Sequence, residues 1–276
     1  GVALSSDGLV LAASPLDDQR GTDTGSVLVW QRADRSTSFS SVTPLRLFDP
    51  DAGGYDKLGE EGVAISSNGL VLATSTAQDD DMGISSGSVL VWQRPDLSTS
   101  FGSVSPAKLV DPDGAVSDNL GTGGVALSSD GLVLAAAAFN DDDMGPASGS
   151  VLVWERTDIS TDFSTVVPVK LLDPRGEEND YLGYAGVSLS SDGLILAASS
   201  YQDDDMGSSS GSVLVWKRAD LNTSFSSVSA VKLTDPNGSA SQSLGKGCIT
   251  LSSDGRMLLT NSYGDTEAGA VVVFST

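Results

Sequence analysis

Three consecutive aspartates followed by Met-Gly occur at Asp79, Asp80 and Asp81, again at Asp141, Asp142 and Asp143, and again at Asp203, Asp204 and Asp205, 62 residues apart each time. Adjacent carboxylates repel one another unless a cation or local donors compensate, so each run is a candidate ligand set for a divalent metal such as calcium. Calcium asks for about six to eight oxygens at mixed spacings, which a bare run of Asp does not supply by itself. The competing reading is that these carboxylates accept hydrogen bonds from loop amides and hold a turn. Their return in nearly every copy favours the turn.

A second set of candidates is defined by variation. The five tyrosines, Tyr55, Tyr181, Tyr184, Tyr201 and Tyr263, do not recur at a fixed place. Tyr201 and Tyr263 stand where other copies carry Phe139 and Ala77, and Tyr181 and Tyr184 lead into the same unit as Tyr201. Packing explains residues shared by every copy, so Tyr181, Tyr184, Tyr201 and Tyr263 are the candidate ligand-binding set. Tyrosine beside carboxylates suits a sugar or a basic peptide. The chain has no histidine, which removes Ser-His-Asp and Cys-His nucleophiles and histidine metal centres. Paired carboxylates could hydrolyse a glycosidic bond, but acids this abundant single out no pair.

The elements that must position these residues come from internal repetition. GVALSSDGLVLAAS at Gly1 returns as GVAISSNGLVLATS at Gly62, GVALSSDGLVLAAA at Gly124, GVSLSSDGLILAAS at Gly186 and CITLSSDGRMLLTN at Cys248. A period of this size marks a propeller, solenoid or array. Each copy holds four β-prone runs, VALSS, LVLAAS, GSVLVW and one typified by VKLLDP at Val169. The first pair turns through Asp-Gly or Asn-Gly, suited to a two-residue hairpin. No stretch shows helical periodicity.

The expected fold is all-β: a β-propeller of four-stranded antiparallel blades, about 62 residues per repeat, with five blades of which the fifth lacks its outer strand. The whole of 1–276 reads as one propeller domain, with repeats 1–61, 62–123, 124–185, 186–247 and a partial 248–276. Residues upstream of Gly1, or a neighbouring subunit, are expected to donate the missing strand and remove an exposed edge. Beginning inside a repeat, without Met or signal peptide, suits a processed or partial product.

Recurrent positions read as packing. Trp30, Trp92, Trp154 and Trp216, with Phe274 in the fifth copy, are expected between blades, as are Phe39, Phe101, Phe163 and Phe225. Arg46, Lys108, Lys170 and Lys232 share one position in the fourth run, where they read as the charges that keep an outer strand soluble. Cys248 replaces a repeat glycine and reads as a small buried residue.

On these motifs the chain resembles the FG-GAP repeat of integrin α-subunit heads and related propellers. The family's Phe-Gly pair is matched by Leu58-Gly59, Leu120-Gly121, Leu182-Gly183 and Leu244-Gly245, its GAP tripeptide by AAS at Ala12, and its third strand by GSVLVW. The resemblance covers essentially all 276 residues and implies an extracellular adhesion or assembly module. It does not carry calcium over, because the family's DxNxDG loop is here only SSDG or SSNG.

The net charge of −22 with only 15 Lys and Arg excludes a nucleic-acid surface. No apolar run reaches the roughly 18 residues of a bilayer span, so no direct membrane insertion is expected. In a four-stranded meander the loops after strands two and four share a face, and these carry 27 of the 37 acids, including Asp17, Asp18, Asp265 and Glu267. Only Arg20, Lys57, Arg175 and Lys246 oppose them there.

The reading is a non-enzymatic extracellular or cell-surface module that binds a protein or glycan partner, basic if a protein, through an acidic, tyrosine-bearing face. It requires no cofactor, with calcium as an option, and carries candidate glycosylation sites at Asn222 and Asn237. The alternatives are a carboxylate-dependent glycan-processing enzyme and a divalent-cation-dependent assembly protein on the same scaffold.

Overall fold

The computed structural model describes residues 1–15, 21–263 and 270–275; Asp17, Asp18, Arg20, Asp265 and Glu267 lie outside them. Each repeat forms one antiparallel sheet in simple meander order. Blade 1 is β1 (Val2–Leu4), β2 (Val10–Ala13), β3 (Val27–Gln31) and β4 (Leu45–Leu47). Blade 2 is β5 (Val63–Ile65), β6 (Val71–Thr76), β7 (Ser88–Gln93) and β8 (Ala107–Leu109). Blade 3 is β9 (Val125–Leu127), β10 (Val133–Ala138), β11 (Ser150–Glu155) and β12 (Val169–Leu171). Blade 4 is β13 (Leu182–Leu189), β14 (Ile195–Ser200), β15 (Ser212–Lys217) and β16 (Val231–Leu233). Blade 5 holds β17 (Ile249–Leu251), β18 (Met257–Ser262) and β19 (Ala270–Ser275), with no fourth strand among the described residues. The architecture is a multi-blade β-propeller with no α-helix among the described residues.

The hairpin chemistry is the one the sequence requires. Asp130 Oδ1 accepts from Ser128 Oγ at 2.6 Å and from the Leu132 amide at 2.9 Å, and Gly131 takes φ +75°. These tips also tie successive blades together. The amides of Ser6, Ser67, Ser129 and Ser191 donate to the carbonyls of Ser67, Ser129, Ser191 and Ser253 at 2.9 to 3.1 Å. The first strands β1, β5, β9, β13 and β17 neighbour one another in turn and form the inner wall.

The Leu-Gly pairs act where blades join. Leu120 is fully buried, and its amide donates to Ser86 O at 2.9 Å, next to Gly87 at the start of β7. A Cβ on Gly87, whose φ is +80°, would lie 2.3 Å from Leu120 O. Only glycine permits this approach.

The core lies between blades, as a repeat architecture requires. One face of blade 2, with Val71, Ala73, Val89 and Val91, meets the face of blade 3 carrying Leu134, Ala136, Leu152, Trp154 and Phe163. Trp92, Trp154 and Trp216 are 1 to 2% exposed. Behind them Arg94, Arg156 and Arg218 stack over Phe101, Phe163 and Phe225 at 4.1 to 4.5 Å and donate to the carbonyls of Gly69, Gly131 and Gly193. These arginines close each blade at the pole opposite the aspartates.

Two expectations about packing need correction. Cys248 is exposed, whereas Gly62, Gly124 and Gly186 are buried. It stands at the start of the last inner strand, with no following blade beside it among the described residues. The strand-four lysines are not solvated rim charges either, because their stems turn along the sheet and their heads enter the aspartate loops.

Candidate functional site

The loops after strands two and four do meet at one pole, and their aspartates interlock between neighbouring blades. Asp49, Asp56 and Asp79 form one buried group, Asp111, Asp118 and Asp141 a second, and Asp173, Asp180 and Asp203 a third, with carboxylate oxygens within 4.8 Å of one another. A lysine from the outer strand enters each group. Lys170 Nζ lies 2.8 Å from Asp111 Oδ2, 2.6 Å from Asp141 Oδ2 and 2.9 Å from Asp143 Oδ2. Lys108 contacts Asp49, Asp51, Asp79 and Asp81 at 2.5 to 3.2 Å. Lys232 pairs with Asp173 at 2.7 Å, Asp205 at 3.0 Å and, closest, Asp203.

The aspartate runs divide their work. Asp79, Asp141 and Asp203 are buried and each accepts from a serine at the start of strand three, as Asp141 Oδ2 does from Ser150 Oγ at 2.9 Å. Asp80, Asp142 and Asp204 accept from the amides of Ser85, Ala147 and Ser209 at 2.6 to 2.8 Å. Asp81, Asp143 and Asp205 face the lysines.

The group therefore contains its own cation, and a calcium ion would have to displace a primary ammonium held by three or four carboxylates. Burial lowers the affinity of each lysine for its proton, but the hydrogen bonds to Asp partners outweigh it and hold the ammonium charged well past its ordinary range. Burial pushes Asp56, Asp111 and Asp118 upward, and Asp180 to about 6.

The candidate tyrosines come together beside these groups. Tyr181 stacks on Tyr201 at 5.6 Å between centroids, and Tyr184 lies 4.5 Å from Tyr201 and 6.4 Å from Tyr181. Phe139 of blade 3 joins them, edge-on to Tyr184 at 5.4 Å. Tyr263 is 54% exposed and reaches the cluster through Lys246, whose Nζ sits 5.4 Å from the Tyr201 ring and 6.0 Å from the Tyr263 ring. Tyr55 stays apart and exposed. Tyr181 holds φ +56°, and its amide N–H donates a hydrogen bond to Ala147 O at 3.0 Å.

Of these aromatics Phe139 and Tyr184 line a cavity of about 580 Å³ at the inner end of the blades, together with Glu60, Glu61, Gln78, Asn119, Thr122 and Lys246. That size falls in the range of small-ligand sites. Glu60, Thr122, Tyr184 and Lys246 occupy the same repeat position, directly after Leu-Gly. A turn closed by bonds such as Tyr184 N to Tyr181 O at 3.1 Å aims that position at the axis. Four equivalent backbones thus present an acid, a hydroxyl, a phenol and an ammonium to one space. The signal was in the sequence as an axial position that changes chemistry from copy to copy, and it escapes a search for motifs.

Asn222 and Asn237 lie on exposed loops, accessible to modification.

The class is set by this frame: a propeller whose repeated loops build one polar, aromatic cavity at its acidic pole. No family model matches the chain, and no curated protein matches its sequence. Among solved structures it resembles the periplasmic gluconolactonase PpgL of Pseudomonas aeruginosa, at 15% identity and TM-score 0.57, covering 100% of this chain and 67% of that one. It also resembles Sqt1 of Chaetomium thermophilum, at 20% identity and TM-score 0.58, covering 100% and 57%. TolB of Agrobacterium tumefaciens aligns over 100% and 76% at 13% identity and TM-score 0.52. The chain thus spans about two thirds of the gluconolactonase and just over half of Sqt1. At these identities the likeness carries the fold alone.

Proposed function

We propose that this chain is a non-enzymatic interaction module that holds a neutral glycan in the cavity lined by Phe139 and Tyr184. One observation carries the reading: the repeat positions that differ in chemistry converge on a single cavity while those that agree are consumed by packing. A symmetric frame with asymmetric decoration suits an asymmetric ligand. Aromatic faces stack on the apolar side of a sugar ring, and Asn119, Thr122, Gln78 and Glu61 offer donors and acceptors for its hydroxyls. The carboxylates around the rim disfavour anionic glycans.

Binding is preferred to glycan hydrolysis because the carboxylates that burial pushes upward, Asp111, Asp118 and Asp180, sit in the lysine groups and not among the cavity residues. A general acid would have to face the substrate. The likeness to a gluconolactonase supports only the scaffold. An extracellular or cell-surface location and an FG-GAP-like adhesion role agree with the exposed sequons and with the motif resemblance. The module requires no cofactor, because the lysines serve where a cation would.

A second reading, a basic protein segment on the same pole, is favoured by the exposed Glu60 and Glu61 at the cavity mouth. Binding to a neutral glycan array in low and high salt separates the two. A glycan held by stacking and hydrogen bonds keeps its affinity in 0.5 M salt, although the Debye length there shortens to about 4 Å from about 10 Å at 0.1 M. A basic peptide loses most of it.

A further inference from the structure

Every junction inside the arc joins the same two faces. The valine face of blade 3, with Val133, Ala135, Val151 and Val153, meets the tryptophan face of blade 4, with Leu196, Ala198, Leu214 and Trp216. Blades 4 and 5 repeat it, with Val213 and Val215 against Leu258 and Phe274. At the ends of the arc one face of each kind is left without a mate among the described residues. Blade 1 presents its tryptophan face, on which Leu4 is 54% exposed and Trp30 is only half-buried. Blade 5 presents its valine face, with Val271 70%, Val273 53% and Met257 48% exposed. The hydrogen bonds between hairpin tips stop in the same place: among the described residues none continues from Ser253 to Ser6.

We propose that these two faces are a matched pair of docking surfaces, and that their occupant is one or more further blades of this same repeat, seated between blade 5 and blade 1 to close the ring. An occupant must offer a tryptophan face to Val271 and Val273 and a valine face to Trp30 at once. A blade of this pattern does both, and the fit is already made four times within the chain. Among the described residues β19 lies hydrogen-bonded to β18 alone, so the first incoming segment completes blade 5 as its fourth strand. A second copy would bring five sheets, more than the sector that remains in propellers of which this chain already spans 67 and 76%.

The test compares the 276-residue chain with the same chain extended in register by one and by two copies of its own repeat. Trp92, Trp154 and Trp216 are shielded, so acrylamide quenching of tryptophan fluorescence reports Trp30. The expected result is that the unextended chain binds the apolar dye ANS and is quenched, and that one extended chain is monomeric with both signals about fivefold lower. Extended chains that keep dye binding and quenching at the original level would overturn the proposal, as would a discrete dimer of the unextended chain with Trp30 already shielded. Should the extensions not fold, the pair Val271→Asp and Val273→Asp in the original chain decides. Unmated faces predict an unchanged melting temperature and weaker dye binding, while a fall of many degrees would show that β19 is packed and the proposal wrong.

Discussion

Lys170 extends from the outer strand of blade 3 to place its ammonium 2.6 Å from Asp141 and 2.8 Å from Asp111, joining a loop of its own blade to the connection from blade 2. The charge is one link of a chain that begins in the repeat pattern and ends in the rigidity of the acidic pole. With Lys108 and Lys232 in the same role, each carboxylate group at the pole receives a cation from an outer strand.

Replacing Lys170 with Met should therefore leave Asp111 and Asp141 buried and uncompensated. The expected loss is about 3 to 5 kcal/mol of unfolding free energy, read from urea denaturation. A loss well under 1 kcal/mol would mean that the ammonium is dispensable there.

The same geometry predicts the response to calcium. Melting temperatures of the native chain in millimolar calcium and in chelator should agree to within about 1 °C, since a divalent ion gains little from sites already filled. In Lys170→Met the vacated carboxylates should acquire a calcium-dependent rise of several degrees. A large calcium effect on the native chain would restore the metal reading of the aspartate loops.

Stability should fall as pH rises from mildly acidic to mildly alkaline. Asp180 is raised to about 6 by burial, and Asp56, Asp111 and Asp118 are raised by the same cause, against about 3.9 in the unfolded chain. A raised carboxyl contributes stability that is complete below the unfolded value and lost as pH passes through the folded one. Asp51, held near 2 first by its hydrogen bond with Asp49, acts in the opposite sense but only in stronger acid. The melting temperature should be several degrees higher at pH 5 than at pH 8, and Asp180→Asn should reduce that difference.

Gly87→Ala should cost more than the helix-type penalty of about 1 kcal/mol, because the new methyl meets the Leu120 carbonyl at a backbone angle that alanine avoids. Trp154→Ala should cost about 3 to 5 kcal/mol, and Trp30→Ala distinctly less, since Trp30 is only half-buried and its face has no mate among the described residues. Thermal or urea melts of the three variants order them directly.

The blades were legible because their determinants are local. Alternating turns, the Asp-Gly hairpins and GSVLVW each need only a few neighbouring residues, and the repeat confirms them four times over. The half-buried lysines were not legible, because Lys108, Lys170 and Lys232 look like edge-strand charges until the stem is followed across a blade junction that no single repeat contains. The arginine stacks on Phe101, Phe163 and Phe225 were missed for the same reason. The tyrosines were found as variable residues, yet their partners Glu60, Thr122 and Lys246 were not, since their likeness lies in position and not in chemistry. Cys248 was misplaced because its repeat position is buried only in the inner copies, at Gly62, Gly124 and Gly186, while the end copies Gly1 and Cys248 are exposed.

The central claim is that the aspartates are committed to structure and the aromatic cavity is left to bind. Its most direct measurement is titration of the native chain and of Tyr184→Ala with the neutral oligosaccharides retained by a glycan array. Saturable binding by the native chain, unchanged in 0.5 M salt and weakened at least about tenfold by the substitution, is the predicted result. Capture of no glycan, or binding that Tyr184→Ala leaves untouched, would contradict it.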